Sequence, residues 1–186
     1  MKGPAGGRAA ALPALGELFR ERGFEGASLA DIGERTGLGK GSLYHFFPGG
    51  KEEMAAGVLD EIASWFAEAV FRPLREDEDP RAAIGGMFRA ITDYFRSGLR
   101  ICLVAAFAID SVRERFPGPI HDYFSDWIAA LASALTRMGH APAEARALAE
   151  ETLASIQGAL ILARALGDPG VFSRTMARVE TRLLGE

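Results

Sequence analysis

The sequence contains one cysteine, Cys102, and three histidines among its 186 residues. A single cysteine excludes an intramolecular disulfide. The histidines, His45, His121 and His140, are scattered, and none is spaced with carboxylates in a known metal-ligand pattern. The sequence therefore gives no support for catalysis or a metal site, and it predicts no cofactor.

Long uncharged apolar runs are also missing. The most apolar stretch, residues 99–109, contains Arg100 and is followed by Asp110. It is shorter than the ~20 residues that a bilayer-spanning helix needs, so we interpret it as a buried helix. A signal-peptide pattern is missing too. We therefore expect a cytoplasmic protein that does not enter a membrane.

Positive charge is scarce, because the chain carries a net charge of -4. The charge is unevenly distributed along the sequence. Residues 1–51 contain seven Lys and Arg against five Asp and Glu, a net charge of +2, which leaves -6 for the remainder. This asymmetry is in the direction expected for a nucleic-acid-binding N-terminal part, although differences of this size also arise by chance.

Alternating strand patterns are not found, whereas helical spacing of apolar residues recurs along the chain. The pattern predicts helices over residues 51–71, 80–97, 120–138 and 142–166, with a last helix after Gly167-Asp168-Pro169. Several of these helices begin where proline can occupy the first turn. The sequence therefore predicts an all-α protein, with a three-helix N-terminal head on a larger helical body.

The most informative segment is Ser28 to Lys51, SLADIGERTGLGKGSLYHFFPGGK. Ser28 and Asp31 have the spacing of a helix-capping box, which places the start of a helix near Leu29. Gly37 and Gly39 lie where the chain must turn sharply, and at least one residue there needs a positive φ. A second helix follows from Lys40. This arrangement is typical of a helix-turn-helix.

The second helix of this motif presents a polar surface. Lys40, Ser42, Tyr44 and His45 are expected to face outward, while Leu43 and Phe46 face the interior. Recognition helices enter the major groove of DNA with the N-terminus first, so Lys40 and Ser42 should lie nearest to bases or phosphates. Lys51, at the start of the next helix, is a candidate phosphate contact.

The segment GFEGASLADIGERTGLGKGSLYHFFPGGKEEM resembles the N-terminal DNA-binding domain of the TetR family, over Leu12 to about Leu59. FPGGKEEM, together with Cys102-Leu-Val-Ala, resembles a branch that includes regulators of drug efflux and of flavonoid-responsive genes. The resemblance implies a DNA-binding domain at 1–50 and an effector-binding and dimerisation domain at 51–186. The predicted DNA-contacting residues are Ser28, Thr36, Lys40, Gly41, Ser42, Tyr44, His45 and Lys51.

The long helix near the C-terminus is apolar on two faces. Such a helix is either buried on all sides within one chain or packed against a second subunit. The family resemblance favours a homodimer, whose paired heads would bind a palindromic operator of double-stranded DNA. The predicted interface residues are Ser155, Gly158, Ala159, Leu162 and Leu166 on this helix, with Phe172, Met176 and Val179 on the last one.

The middle helices are rich in aromatic side chains. Such stripes are more often ordinary core than a cavity, but the family's helical body commonly binds a small effector. The predicted effector-binding residues are Phe66, Phe88, Ile91, Phe95, Cys102, Phe107, Asp110, Trp127, Leu131 and Gln157, with Asp110 and Gln157 as polar anchors. Two other interpretations of Cys102 stay open: a site that senses oxidation, or the more usual inert core residue.

Together these features predict a ligand-released transcriptional repressor that is not an enzyme. Two alternatives stay open. One is a helical small-molecule-binding protein or enzyme whose helix-turn-helix mediates protein contacts. The other is a DNA-binding activator without an effector. The sequence does not identify the effector, the operator or the regulated genes.

Overall fold

The computed structural model describes residues 7–185. The first six residues of the predicted head and residue 186 of the predicted body lie outside this range. The described residues form ten α-helices and no strand, which confirms the all-α prediction. The helices are α1 (Arg8–Gly26), α2 (Leu29–Thr36), α3 (Lys40–Phe46), α4 (Gly50–Phe66), α5 (Arg72–Glu76), α6 (Pro80–Tyr94), α7 (Leu103–Ile109), α8 (Pro117–Arg137), α9 (Pro142–Leu166) and α10 (Gly170–Leu184).

The helix-turn-helix forms as the sequence predicts. The Ser28 hydroxyl accepts a hydrogen bond from the Asp31 backbone N–H at 3.1 Å, and the Ser28 backbone N–H donates to the Asp31 carboxylate at 3.0 Å. This capping box begins α2. Gly37 ends α2 with a φ of 69°, in the left-handed conformation that glycine adopts without steric cost.

The helix predicted over residues 51–71 is not a single regular helix. α4 ends at Phe66, a five-residue π-helical turn spans Ala67–Phe71, and α5 continues from Arg72. Val70 and Phe71 of the turn are buried. Apolar spacing predicted helix here, but it could not distinguish π-helical from α-helical hydrogen bonding.

The segment after α6 differs from its prediction. α6 ends at Tyr94 rather than near Ser97, and a 3₁₀ turn follows over Arg96–Gly98. Arg96 and Ser97 have φ values of 49° and 53°, which are unfavourable for residues with a Cβ. Gly98 is required, because a Cβ there would lie 2.7 Å from the Cβ of Phe172.

The buried helix predicted over residues 99–109 ends at Ile109 as predicted, but it begins later and its last residue is exposed. α7 begins only at Leu103. Leu99 is 73% exposed because it lies in the turn before α7, and Ile109 is 85% exposed because it is the last residue of α7. The buried part is short, and it includes Leu103, Val104 and Phe107.

The described residues separate into two compact units. The first unit contains the residues up to Ala63 together with Leu103–Ile120, and the second contains Ser64–Cys102 together with the residues from His121 onward. The boundary between these compact units follows Ala63, and α7 belongs to the first unit. The functional assignment of 1–50 and 51–186 remains a prediction.

Each unit has its own aromatic interior. In the first unit, Phe107 lies between Phe19 and Phe116, with ring centroids 6.2 Å and 6.1 Å away. In the second unit, Phe66 lies within 5.1 Å of the Tyr123 and Trp127 rings. These clusters place large fully buried side chains at the centre of each unit, where apolar burial is most favourable.

Candidate nucleic-acid interface and helical body

The recognition helix α3 exposes a short polar surface above a buried anchor. Leu43 is 2% exposed and holds the helix against the head. Lys40, Gly41, Tyr44 and His45 are exposed, and Ser42 is half-buried. The structure therefore brings five of the predicted DNA-contacting residues onto one seven-residue helix.

The hydroxyls of Ser28 and Thr36 already have partners within the chain. The Ser28 hydroxyl donates to the Asp31 carboxylate at 2.6 Å, and the Thr36 hydroxyl donates to the Ile32 carbonyl at 2.7 Å. The Ser28 side-chain and backbone hydrogen bonds, with a smaller effect from the Arg22 guanidinium, hold the pKa of Asp31 below its ordinary range. Both predicted contacts thus stabilise α2 and its turn, whether or not they touch DNA.

Lys51 lies in the first turn of α4, within a cluster that the sequence did not predict. Its Nζ is 3.7 Å from a Glu25 carboxylate oxygen and 4.6 Å from the centroid of the Phe24 ring. The Arg115 guanidinium approaches the same two residues, at 3.2 Å and 5.3 Å, and also pairs with Glu52. We call Lys51, Arg115, Glu25 and Glu52 the α4 charge cluster.

The α4 charge cluster was missed because its members are far apart in sequence. Arg115 lies 90 residues after Glu25, and only the packing of Phe107 and Phe116 on the head brings it there. No short-range pattern signals this contact.

The structure brings together part of the predicted effector site. Phe66, Phe95 and Trp127 are buried in the second unit, where the Phe66 ring is 6.3 Å from Phe95 and 5.1 Å from Trp127. Trp127 also donates a hydrogen bond to the Met87 sulfur at 3.3 Å. The other buried members in this unit are Phe88, Ile91, Cys102 and Leu131.

Two predicted effector residues require correction. Phe107 belongs to the first unit, where its ring packs on Phe19, Phe24 and Phe116. Asp110 is exposed in the same unit. Its carboxylate accepts hydrogen bonds from Val112 N–H at 3.2 Å and from the Ser111 hydroxyl at 2.9 Å, which lower its pKa. Asp110 therefore caps the 3₁₀ turn at Ser111–Arg115. Phe107 was placed in the wrong unit because apolar spacing alone does not show which core α7 joins.

Gln157 has an unsatisfied polar group. Its side-chain Nε2 is buried and has no hydrogen-bond partner among the described residues. The Thr152 hydroxyl, which precedes Gln157 on α9, is likewise buried without a hydrogen-bond partner among the described residues. Buried donors without partners are costly, so the Gln157 amide is an unsatisfied donor of the second unit.

The predicted interface residues divide into two groups. Leu162 and Leu166 are 51% and 68% exposed, and Ile161 beside them is 61% exposed. Ser155 and Gly158 are half-buried. These residues leave an apolar strip along the C-terminal half of α9.

The remaining four interface predictions are corrected by the structure. Ala159, Phe172, Met176 and Val179 are at most 6% exposed within the single chain. The Phe172 ring packs 6.2 Å from Phe95. These side chains belong to the chain's own core, because α10 packs extensively on α9 and uses its apolar face there.

Within residues 7–185, no group of three or more His, Cys, Asp and Glu side chains could hold a metal ion. Over the same residues, the helices are too short or too polar for any of them to cross a membrane.

Comparison with known proteins agrees with this geometry. The profile described as "Bacterial regulatory proteins, tetR family" matches residues 12–58, and the profile described as "Transcriptional regulator LmrA/YxaF-like, C-terminal domain" matches residues 76–178. The chain is 26% identical over 156 residues to the HTH-type transcriptional regulator LmrA of Bacillus subtilis, covering 81% of this chain and 82% of that protein. It is 29% identical over 150 residues to the HTH-type regulator YxaF of the same organism, covering 78% of each.

A solved structure shows the same fold. A TetR transcriptional regulator from Legionella pneumophila superposes with a TM-score of 0.84 at 21% identity, covering 97% of this chain and 99% of that chain. The C-terminal profile alone spans more than half of the sequence, so the chain belongs to the TetR family of helix-turn-helix transcriptional regulators. Within it, the match is to the LmrA/YxaF-like branch that FPGGKEEM and Cys102-Leu-Val-Ala predicted.

Proposed function

We propose that this regulator is a homodimeric repressor that binds a palindromic operator and leaves it when a small hydrophobic or aromatic effector binds the helical body. Residues 1–50 then bind DNA, and residues 51–186 bind the effector and the second subunit. In this account the protein acts in the cytoplasm and is not an enzyme. The observation that carries the proposal is the exposed Lys40 and Tyr44 surface of α3, held by the buried Leu43.

DNA binding is supported by the geometry of α3. The Gly37 turn and the capping box orient α3 so that its N-terminal residue, Lys40, is exposed. Helices of this kind read base edges in the major groove with their N-terminal residues. Lys51 contributes a phosphate contact, which fixes the register of the protein without reading sequence.

Dimerisation is supported by the apolar strip on α9. Leu162 and Leu166 are large, exposed and one helical turn apart. Contiguous exposed apolar surface of this kind marks an interaction site. A two-fold dimer places two recognition helices on half-sites about 34 Å apart, which matches a palindromic operator.

Effector binding is supported by Gln157 and the aromatic residues of the second unit. Mostly apolar sites use a few polar groups to orient a ligand, and Gln157 has a free buried donor. Release from DNA follows when the effector prefers a conformation whose paired heads no longer fit the operator.

The recognition surface is tested by alanine substitution. Lys40→Ala and Tyr44→Ala should weaken binding to the protein's own upstream DNA by about fivefold to a hundredfold, and the mass of the dimer should not change. Arg72→Ala is the charge-matched control, because Arg72 is an exposed cation in the second unit. Unchanged affinity of both head variants would remove these residues from the recognition surface.

The phosphate contact and the effector site have separate tests. Lys51→Ala should lower affinity for all sequences alike and reduce the salt slope by about one, whereas a sequence-selective loss would contradict its role.

Aromatic, hydrophobic compounds that release the wild-type protein should act more weakly on Gln157→Leu. An identical response would remove Gln157 from the effector site.

A further inference from the structure

An apolar hollow lies on the head between α2 and α3. Leu29, Ala30 and Gly33 of α2 line one side, and Leu43 and Tyr44 of α3 line the other. Its volume is about 380 Å³. Because Lys40 and Tyr44 also belong to the exposed surface of α3, the hollow lies within the surface that we propose for DNA recognition.

The exposed apolar groups of the hollow do not serve the head's core. Leu29 is 37% exposed and Tyr44 is 43% exposed. The interior of the head is filled by Ile32, which is 0% exposed, and by Leu43, which is 2% exposed and is the one buried apolar residue that also lines the hollow. If the hollow faced only phosphate groups, its apolar side chains would have no apolar group to contact. The hollow is therefore suited to an apolar group on the nucleic acid.

We propose that the hollow receives the 5-methyl group of a thymine in each operator half-site. This inference rests on the proposed function. The thymine methyl is the apolar group that base edges present in the major groove, and small apolar side chains are its usual partners. The hollow would thereby make one base pair in each half-site a specificity determinant.

Two charged residues at the edge of the hollow support a base rather than the backbone as its occupant. Glu34 lines one edge and Lys40 lines another. A carboxylate repels phosphate but can accept a hydrogen bond from cytosine N4, while a lysine can donate to guanine. The hollow thus combines a carboxylate, an ammonium group and an apolar lining. Base edges in the major groove likewise present hydrogen-bond donors, acceptors and the thymine methyl group.

The test removes the methyl group from the DNA. The shortest fragment of the protein's own upstream DNA that binds selectively is prepared with each thymine replaced in turn by deoxyuridine, which lacks the 5-methyl group. We expect one position per half-site at which deoxyuridine weakens binding about fourfold, the effect of burying one methyl-sized group. Symmetric replacement in both half-sites should weaken it by about tenfold or more.

Protein variants connect this effect to the hollow. In Leu29→Ser, thymine and deoxyuridine should bind equally well at that position. Ala30→Leu, which places a larger side chain in the hollow, should reduce the preference while retaining the fold. Leu99→Ser is the matched control, because Leu99 is an exposed leucine in the second unit, and it should keep the full preference.

The outcomes separate the inference from the function on which it rests. Selective DNA binding with no deoxyuridine effect at any position would overturn the hollow's role and leave the regulator intact. A methyl effect that persists unchanged in both Leu29→Ser and Ala30→Leu would also overturn it. Failure to prefer any DNA would instead overturn the proposed function.

Discussion

Some residues of the head that are proposed to contact DNA also stabilise the fold. Ser28 is a predicted DNA contact, and its hydroxyl closes the capping box with Asp31. Ser28→Ala should therefore reduce the free energy of unfolding by about 1 kcal/mol, the typical cost of losing an N-cap. Urea unfolding monitored by circular dichroism measures this change.

Ser64→Ala is the control for the cap, because Ser64 is exposed in the last turn of α4, from which the helix continues into the π-helical turn. It should leave stability unchanged or raise it slightly. The pKa of Asp31 is lowered in the folded state, so its contribution is present above the ordinary carboxyl pKa and is lost as the pH falls through the folded value. Equal stability of Ser28→Ala and wild type at neutral pH would show that the cap contributes nothing.

Glu25 restrains the cation proposed to bind phosphate. Its carboxylate pairs with Lys51 and Arg115 at 3.7 Å and 3.2 Å. Glu25→Gln should release Lys51 and raise the affinity for specific and scrambled DNA alike by about twofold to fivefold, the range for an exposed ion pair. The gain should shrink as salt increases, and titration of labelled duplexes at two salt concentrations measures it.

Glu150→Gln is the charge-matched control for Glu25, because Glu150 pairs with Arg146 on α9 in the second unit. It should leave DNA affinity unchanged. Weaker binding by Glu25→Gln would instead mean that Glu25 positions Lys51 for its contact.

At the scale of elements, the turn after α6 depends on one glycine. Gly98 has a φ of 95°, and an added Cβ would approach the Phe172 Cβ at 2.7 Å. Gly139 has a similar φ of 104° with no atom within 4 Å of an added Cβ. Gly98→Ala should therefore lose about 1 to 3 kcal/mol more stability than Gly139→Ala, the usual cost of overpacking. Equal losses in thermal unfolding would mean that the Phe172 contact is absorbed without cost.

The sequence predicted those elements whose ends carry local signals. α9 was predicted from Pro142 to Leu166 and has those bounds, because a proline begins it and Gly167 ends it in the left-handed conformation. α8 begins at Pro117 rather than Ile120, since prolines are tolerated in the first turn. The π-helical turn at Ala67–Phe71 has no comparable signal.

Long-range packing decided the parts of the candidate sites that sequence could not predict. Phe107 has the apolar spacing of a body residue, but it packs on Phe19 and Phe24. Phe172 was assigned to a subunit interface, but it fills the core beside Phe95. Helical periodicity shows that a face is buried, but it does not show which element covers that face. The exposed face of α3 could be predicted, because the glycine turn before α3 is a local sequence signal.

At the scale of the whole molecule, dimerisation is expected to depend on the apolar strip of α9. Leu162 is 51% exposed in the single chain, and a charge there would be buried without a partner in the dimer. Leu162→Glu should yield a folded monomer with weak operator affinity, as measured by light scattering and DNA titration. Leu99→Glu, which alters a leucine that is 73% exposed elsewhere in the second unit, should remain dimeric. A dimeric Leu162→Glu would place the interface on another surface.

The proposed function depends on sequence-selective DNA binding by the head. The most direct measurement is the affinity of the purified protein for its own upstream DNA and for a scrambled duplex of equal length, over a range of salt concentrations. We expect dimeric binding that is tighter to the upstream DNA at every salt concentration, with both affinities falling as salt increases. Equal affinity for the two duplexes throughout would contradict it, and would favour a small-molecule-binding protein whose helix-turn-helix mediates protein contacts.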